Sequence, residues 1–132
     1  MTMTDPIADL ATRIRNALRN KSGELRLPYS KIKAGICEAL HREGYIRGIA
    51  VESSDGHPVL KVVLKYGPDG EQVLQSIQRV SKPGCRVYRG WRDHAPVLRG
   101  LGITVLTTAQ GVLSDREARA RKLGGEALLE VY

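Results

Sequence analysis

The chain has 132 residues, enough for one domain or two very small ones, and its 34 Leu, Ile and Val residues exclude a disordered tail. The 21 Lys and Arg residues outnumber the 14 Asp and Glu residues, which gives a net charge of +7 at pH 7. A charge of this size does not specify a fold, but it favours a polyanionic partner.

The basic residues concentrate in two windows of the chain. Residues 13–33 hold seven Lys and Arg residues against one acid, and residues 78–99 hold six against one. The remaining residues carry 8 basic and 12 acidic side chains. Such clustering suits a binding patch for a polyanion, although solvated surface charge is the alternative for either window alone.

Apolar runs and cysteines indicate a cytoplasmic protein with no membrane partner. The longest uncharged stretch, residues 100–114, has only 15 residues and several hydroxyl or amide side chains, so it is too short and too polar to span a bilayer. The N-terminus lacks the basic start and apolar run of a secretory signal. Cys37 and Cys85 lie 48 residues apart without a CxxC motif, which favours a reducing compartment. Cys37 fits a small core position in a helix.

The first half of the chain is predicted to fold as α-β-α-β-β. Asp5 can cap a helix that has Pro6 in its first turn, and apolar residues then recur at helical spacing. A short strand is predicted at 24–27, and Ser30 can cap a second helix that ends at Gly44. Strands at 45–53 and 58–66 flank Asp55-Gly56, a strong hairpin signal.

The second half is predicted to be mostly β with one short helix. Strands are predicted at 73–80, 86–88, 103–107 and 126–132, and one helical turn within 92–98. Ser114 and Glu117 have the spacing of a capping box, so a short helix should begin there and run to about Leu123. The fold class is therefore α+β with two small subdomains, residues 1–66 and 73–132, joined by a linker at 67–72.

The chain carries no pattern typical of an enzyme. Its three histidines are scattered and none has a second ligand at metal spacing. Gly100-Leu101-Gly102 begins a dinucleotide-type pattern, but Val105 replaces its third glycine and the segment precedes a strand. The sequence therefore predicts a protein that is not an enzyme and that has no cofactor, bound metal or small-molecule substrate.

Residues 81–88 combine cations with one aromatic side chain around a tight turn. Lys82 and Arg86 can neutralise phosphates, and Tyr88 can stack on an unpaired base. The alternative, which periodicity alone favours, is that Tyr88 is a core residue of a strand.

Residues 100–111 are the second candidate, because a β-rich segment runs there into a small, hydroxyl-rich turn. Small side chains let a backbone approach a ligand closely, and hydroxyls can pair with base edges and with the 2′-OH of ribose. An ordinary polar turn is the alternative.

Several segments, in order and across nearly the whole chain, resemble the family of the eighth protein of the bacterial small ribosomal subunit. They are TDPIAD (4–9), TRIRNA (12–17), EGYI (43–46), RVSKPG (79–84), RVY (86–88), GLGI (100–103), GVL (111–113), DREAR (115–119) and GGE (124–126).

The resemblance implies a structural protein that binds an irregular helix in the central domain of small-subunit ribosomal RNA and helps to assemble it. It implies neighbouring ribosomal proteins as further partners and a ribosome-bound location in the cytoplasm. A stand-alone RNA-binding translational repressor or RNA chaperone is the alternative. The candidate RNA-binding residues are Thr107, Thr108, Ala109, Gln110, Gly111, Tyr88, Arg86, Lys82, Glu126, Ser30, Lys31 and Arg15.

Glu126 corresponds to the family's acidic contact, and it would accept hydrogen bonds from base amino or imino groups. The loop departs from the family, which commonly has Ser-Thr-Ser-Lys-Gly where this chain has Thr107-Thr108-Ala109-Gln110-Gly111. A hydroxyl and a positive charge are missing, and Gln110 reading a base through its amide is one alternative to a simple loss. Gly111 remains, so the backbone geometry of the loop is expected to remain as well.

Overall fold

The computed structural model describes residues 5–93 and 97–132. Its first half contains two helices and a three-stranded antiparallel sheet in the order β1-β3-β2. The elements are α1 (Pro6–Arg19), β1 (Glu24–Pro28), α2 (Lys31–Arg42), β2 (Ile46–Ser54) and β3 (His57–Leu64). Both helix starts are confirmed, because Asp5 accepts from the Ala8 amide at 3.2 Å and Ser30 accepts from the Lys33 amide at 3.3 Å.

The second half forms a five-stranded antiparallel sheet in the order β4-β8-β6-β7, in which β5 also pairs with β8. Its elements are β4 (Ile77–Arg79), β5 (Tyr88–Arg89), a short 3-10 helix (Val97–Gly100), β6 (Ile103–Thr108), β7 (Gly111–Ser114), α3 (Asp115–Ala120) and β8 (Gly125–Val131). The α+β class is confirmed, with helices and strands mixed in the first half and mostly strands in the second. The capping box of Ser114 and Glu117 is also confirmed.

Some predicted boundaries in this half are wrong. Only residues 77–79 of the strand predicted at 73–80 form one, because β8 ends at Val131 and the amides of Gln75 and Ser76 instead donate to the Tyr132 carbonyl at 2.7 and 2.9 Å. Helix α3 ends at Ala120 rather than Leu123, because Lys122 adopts φ +56. Strand β7 was not predicted. Residues 94–96 of the predicted helical turn lie outside the described residues.

The larger of two hydrophobic clusters in the described residues reaches into both halves of the chain. Ile14 of α1 and Leu40 of α2 share this cluster with Val105 of β6 and Leu129 of β8, all with no exposed surface. Cys37 is part of the same core, as predicted, and burial raises the pKa of its thiol to about 12. The core therefore holds the C-terminal sheet firmly against α1 and α2.

Ion pairs at the surface of this core connect the two halves as well. The largely buried Arg79 donates to Asp5 at 3.1 Å and to the Leu128 carbonyl at 2.9 Å. Arg42 at the end of α2 pairs with Glu117 of α3 at 2.9 Å. None of the helices in the described residues is sufficiently long and apolar to cross a membrane.

Candidate nucleic-acid interface

The C-terminal sheet brings three of the predicted residues into one row. Tyr88 of β5 pairs with Glu126 of β8, and Glu126 pairs with Thr107 of β6. Directly paired residues of antiparallel strands project from the same face of a sheet, with Cβ atoms about 5 Å apart. Aromatic, carboxylate and hydroxyl groups therefore stand side by side on this face. We call these three residues the cross-strand row.

Tyr88 is 70% exposed, so the interpretation as a core residue is wrong. The reason lies in the sheet order. Strand β5 occupies the outer edge beside β8, whereas α2 packs on β7 at the opposite edge. The exposed ring therefore leaves a large aromatic surface open to a ligand.

Glu126 is held by a network that the sequence did not reveal. Its Oε2 accepts from Ser81 Oγ at 2.6 Å and from Arg86 Nη1 at 3.0 Å, while the buried Ser81 hydroxyl accepts from the Val87 amide at 3.1 Å. The bond from Ser81, assisted by Arg86 and opposed by burial, holds the pKa of Glu126 below its usual range. Glu126 is therefore ionised at neutral pH. Its Oε1 has no hydrogen-bond partner among the described residues.

Two exposed cations belong to the turn that directly follows Ser81, the partner of this carboxylate. Lys82 begins a tight turn in which Lys82 and Cys85 exchange backbone hydrogen bonds of 3.0 and 2.9 Å. Arg86 follows directly, and only part of its guanidinium is engaged by Glu126. The turn therefore presents positive charge next to a fixed acceptor.

The turn between β6 and β7 depends on the hydroxyl of Thr108 and on the backbone conformation of Gly111. Thr108 Oγ1 donates to the Gly111 carbonyl at 2.8 Å and accepts from the Gln110 amide at 3.1 Å. Gly111 has φ +107, a conformation that residues with a Cβ rarely adopt. The hydroxyl of Thr108 thus stabilises the turn, and Ala109 and Gln110 are exposed at its tip.

A groove of about 540 Å³ runs between α2 and the β6–β7 hairpin. Its lining includes Lys31 at the start of α2 and Thr107 of the cross-strand row. The two elements approach closely because α2 has Gly35 there, where a Cβ would lie 2.9 Å from Val112 Cγ2. Ser30 caps α2 beside this groove. The fold therefore brings the candidates near residue 30 close to those near residue 107.

Arg15 is not part of this constellation. Its guanidinium donates to the Ile77 carbonyl and, at 3.2 Å, to Thr12 Oγ1. It lines a separate groove with Gln72 and Gln75, between α1 and the segment that leads into β4.

The structure adds one basic residue that sequence reasoning missed. Arg121, in the turn after α3, donates from Nη1 to Gln110 Oε1 at 3.3 Å. One feature of the sequence could have indicated Arg121, because residues 119–122 hold three cations. These residues lie outside the two basic windows, in the remainder of the chain, whose net charge is negative. In the described part of the chain, no group of three or more His, Cys, Asp or Glu side chains could hold a metal ion.

Comparison with known proteins agrees with the resemblance in the sequence. A family model described as "Ribosomal protein S8" matches residues 5–132. The chain is also similar to the small ribosomal subunit protein uS8 of Streptococcus pneumoniae strains Hungary19A-6, CGSP14 and 70585. Each is 50% identical over 132 residues, which covers 100% of both chains.

Proposed function

This chain belongs to the ribosomal protein S8 family, and from that premise we propose that it binds an irregular helix in the central domain of small-subunit ribosomal RNA and helps that RNA to assemble. Membership makes the chain a structural constituent of the small ribosomal subunit, with ribosomal RNA and ribosomal proteins as partners. The proposed location is ribosome-bound in the cytoplasm.

The cross-strand row is the observation that carries this proposal. An exposed ring at Tyr88 offers a stacking surface for a base that has left a regular helix. The fixed Oε1 of Glu126 can accept from base amino or imino groups but repels phosphate, so it discriminates among bases. The Thr107 hydroxyl can pair with a base edge or a 2′-OH. An irregular helix, with its unstacked bases, suits all three groups.

Affinity is assigned to the cations around the row. Lys82 and Arg86 lie on one side, and Lys31 lies across the groove from the hairpin. Their contacts with phosphates position the RNA without reading its sequence. In this proposal residues 73–132 form the subdomain that grips the RNA and residues 1–66 supply Ser30 and Lys31. Residues 67–72 link the two subdomains. Arg15 contacts the RNA separately, away from the cross-strand row.

Binding to a fragment of small-subunit ribosomal RNA that contains the irregular helix tests the proposal directly. We expect preferential binding over a regular duplex of the same length. If about 5–8 phosphates are engaged, log K should fall against log salt with a slope of about −4 to −7. Equal binding to both RNAs, or a slope near zero, would contradict the proposal.

A cellular experiment separates the ribosomal role from a regulatory one. We expect nearly all of the protein to sediment with small ribosomal subunits, and crosslinking followed by sequencing should recover ribosomal RNA. Protein found mainly in ribosome-free fractions, crosslinked to messenger RNA, would favour a stand-alone repressor instead.

A further inference from the structure

We infer that Arg121 binds a phosphate at the tip of the β6–β7 hairpin and replaces the positive charge that the loop lacks at Gln110, and that Lys122 and Arg92 extend its positive surface along the turn after α3. We call these three cations the basic cluster. The inference rests on the proposed function and adds to it a set of residues outside the family's loop.

Arg121 contacts the tip of the β6–β7 hairpin through the side chain of Gln110. The Gln110 amide oxygen accepts from Arg121 Nη1 at 3.3 Å, and both side chains are exposed. Because the amide is uncharged, it orients the guanidinium without neutralising it. Arg121 is also fixed at its backbone, where it caps α3 and its amide donates to the Glu117 carbonyl at 3.1 Å. The guanidinium is therefore held at the hairpin tip with its charge intact.

Lys122 and Arg92 are positioned by an aromatic ring. The Lys122 ammonium lies 5.9 Å and the Arg92 guanidinium 4.9 Å from the centre of the half-buried Trp91 ring. Cation–π contacts of this kind hold a cation in place and leave its charge available to an anion. Two residues from different loops are thus gathered by one ring.

Close packing of two backbone segments explains why these loops meet. A Cβ on Gly124 would lie 2.6 Å from the Arg89 carbonyl oxygen and 2.9 Å from the Gly90 Cα atom. Only a glycine permits this approach, which brings the loop around Trp91 against the turn after α3. Lys122 has φ +56, an uncommon conformation for a residue with a side chain.

The charge balance of the basic cluster points to an anionic ligand. No carboxylate among the described residues forms an ion pair with Arg121, Lys122 or Arg92. The nearby Arg89 is already occupied, since it pairs with Glu130 at 3.8 Å. Asp93 lies in the same loop as Arg92, and the three cations of the basic cluster together with this carboxylate have a net charge of about +2. An Arg fork suits the geometry of a phosphate.

Arg121 contacts the hairpin that is proposed to bind RNA, so the phosphate that it binds belongs to the RNA backbone. Gln110 is the residue next to Gly111, which lines the same groove as Thr107. An RNA that contacts the cross-strand row and the hairpin would therefore extend its backbone past Arg121.

The test compares Arg121→Gln with a matched control, Arg47→Gln, which removes an exposed charge from β2 in the other sheet. Binding to the ribosomal RNA fragment is measured between 50 and 200 mM salt. For Arg121→Gln the salt slope should become shallower by about 0.7–0.9, so that the advantage of wild type shrinks about threefold over this range. Arg47→Gln should keep the wild-type slope. Arg121 is exposed, so both variants should melt like wild type.

A charge swap tests whether Arg121 and position 110 serve the same phosphate. Gln110→Lys in the Arg121→Gln background should restore the wild-type salt slope. Gln110→Lys alone should steepen the slope by much less than the value of about 0.7–0.9 that one phosphate contact contributes. A wild-type slope for Arg121→Gln would overturn the inference, as would a full additional contact for Gln110→Lys alone. Normal binding to naked RNA with weaker incorporation into subunits would overturn it as well, in favour of an acidic protein partner. Failure of the proposed function would look different, because wild type itself would then show no preference for the fragment.

Discussion

Glu126 is a carboxylate on a surface that we propose binds a polyanion, and its neighbours explain how both can be true. Ser81 and Arg86 fix Oε2, and Arg86 also offsets the negative charge that a nearby phosphate would experience. The remaining oxygen is an oriented acceptor. The residue therefore contributes selectivity among bases, and the surrounding cations contribute affinity.

At the residue scale, Tyr88→Ala should weaken binding to the irregular helix by about 1–3 kcal/mol if the ring stacks on a base. Tyr88→Phe should bind nearly as well as wild type, because it keeps the ring. Since Tyr88 is 70% exposed, neither change should alter the melting temperature. Filter binding and thermal melting check this, with Tyr132→Ala as a control that also removes a partly exposed tyrosine ring. Unchanged affinity for Tyr88→Ala would remove the ring from the site.

Glu126→Gln should lower discrimination between the cognate helix and an RNA with altered bases, because the amide nitrogen donates where the carboxylate accepts. Ser81→Ala should act in the same direction, since it frees the carboxylate from its strongest partner. Competition binding with the two RNAs measures this ratio. A uniform gain of affinity for all RNA would instead mean that Glu126 only repels phosphate.

At the scale of elements, the short helix α3 depends on its capping box. Ser114 Oγ accepts from the Glu117 amide at 3.2 Å and donates to Glu43 Oε2 at 3.1 Å, so it also connects α3 to the end of α2. Six residues are too few to form a stable helix without such contacts.

We expect Ser114→Ala to reduce the free energy of unfolding by about 1–2 kcal/mol, a typical cost for losing an N-cap. Urea unfolding measures the effect, and Ser114→Thr should retain most of the stability because its hydroxyl can cap as well. A loss no greater than that of an exposed control, Ser53→Ala in β2, would show that the capping box contributes little.

At the scale of the whole molecule, carboxylates at the contacts between halves make folding depend on pH. Burial raises the pKa of Asp5, but hydrogen bonds from Arg79 and from the Ala8 amide outweigh it and hold the pKa below its ordinary 3.8. For Glu117, burial is likewise outweighed by Arg42, and the pKa lies below 4.5. A depressed pKa in the folded state means that the unfolded chain binds more protons in acid.

The stability that ionised Asp5 and Glu117 contribute should therefore be fully present above about pH 5. It should be lost as the pH drops through the folded-state pKa values of these two carboxyl groups. In Asp5→Asn this dependence should be flatter, and the protein should lose about 1–3 kcal/mol at pH 7 because the largely buried Arg79 loses its charged partner. Urea midpoints at pH 3, 4, 5 and 7 measure both effects. Asp9→Asn is a suitable control, since Asp9 pairs with Arg13 in an exposed i,i+4 contact. Identical pH profiles for wild type and Asp5→Asn would contradict this account.

Local signals in the sequence determined most of the elements of this protein and most of their starts. The caps at Asp5, Ser30 and Ser114 and the Asp55-Gly56 hairpin depend on residues within a few positions of one another, so they can be predicted without a tertiary structure. The motifs also identified the family. Strand β7 was not predicted, because its four residues acquire strand structure only by pairing with β6.

The site itself was decided by tertiary structure, because its members meet only through strand register and packing. Periodicity favoured a buried Tyr88, but the position of β5 at an open sheet edge leaves the ring exposed. Ser81 and Glu126 are 45 residues apart, and Gln110 and Arg121 are 11 apart on different elements, so no local pattern could pair them. The sequence alone determined which kinds of chemistry were present. Sheet pairing and core packing decided which side chains share a surface, because these contacts form between residues distant in the chain.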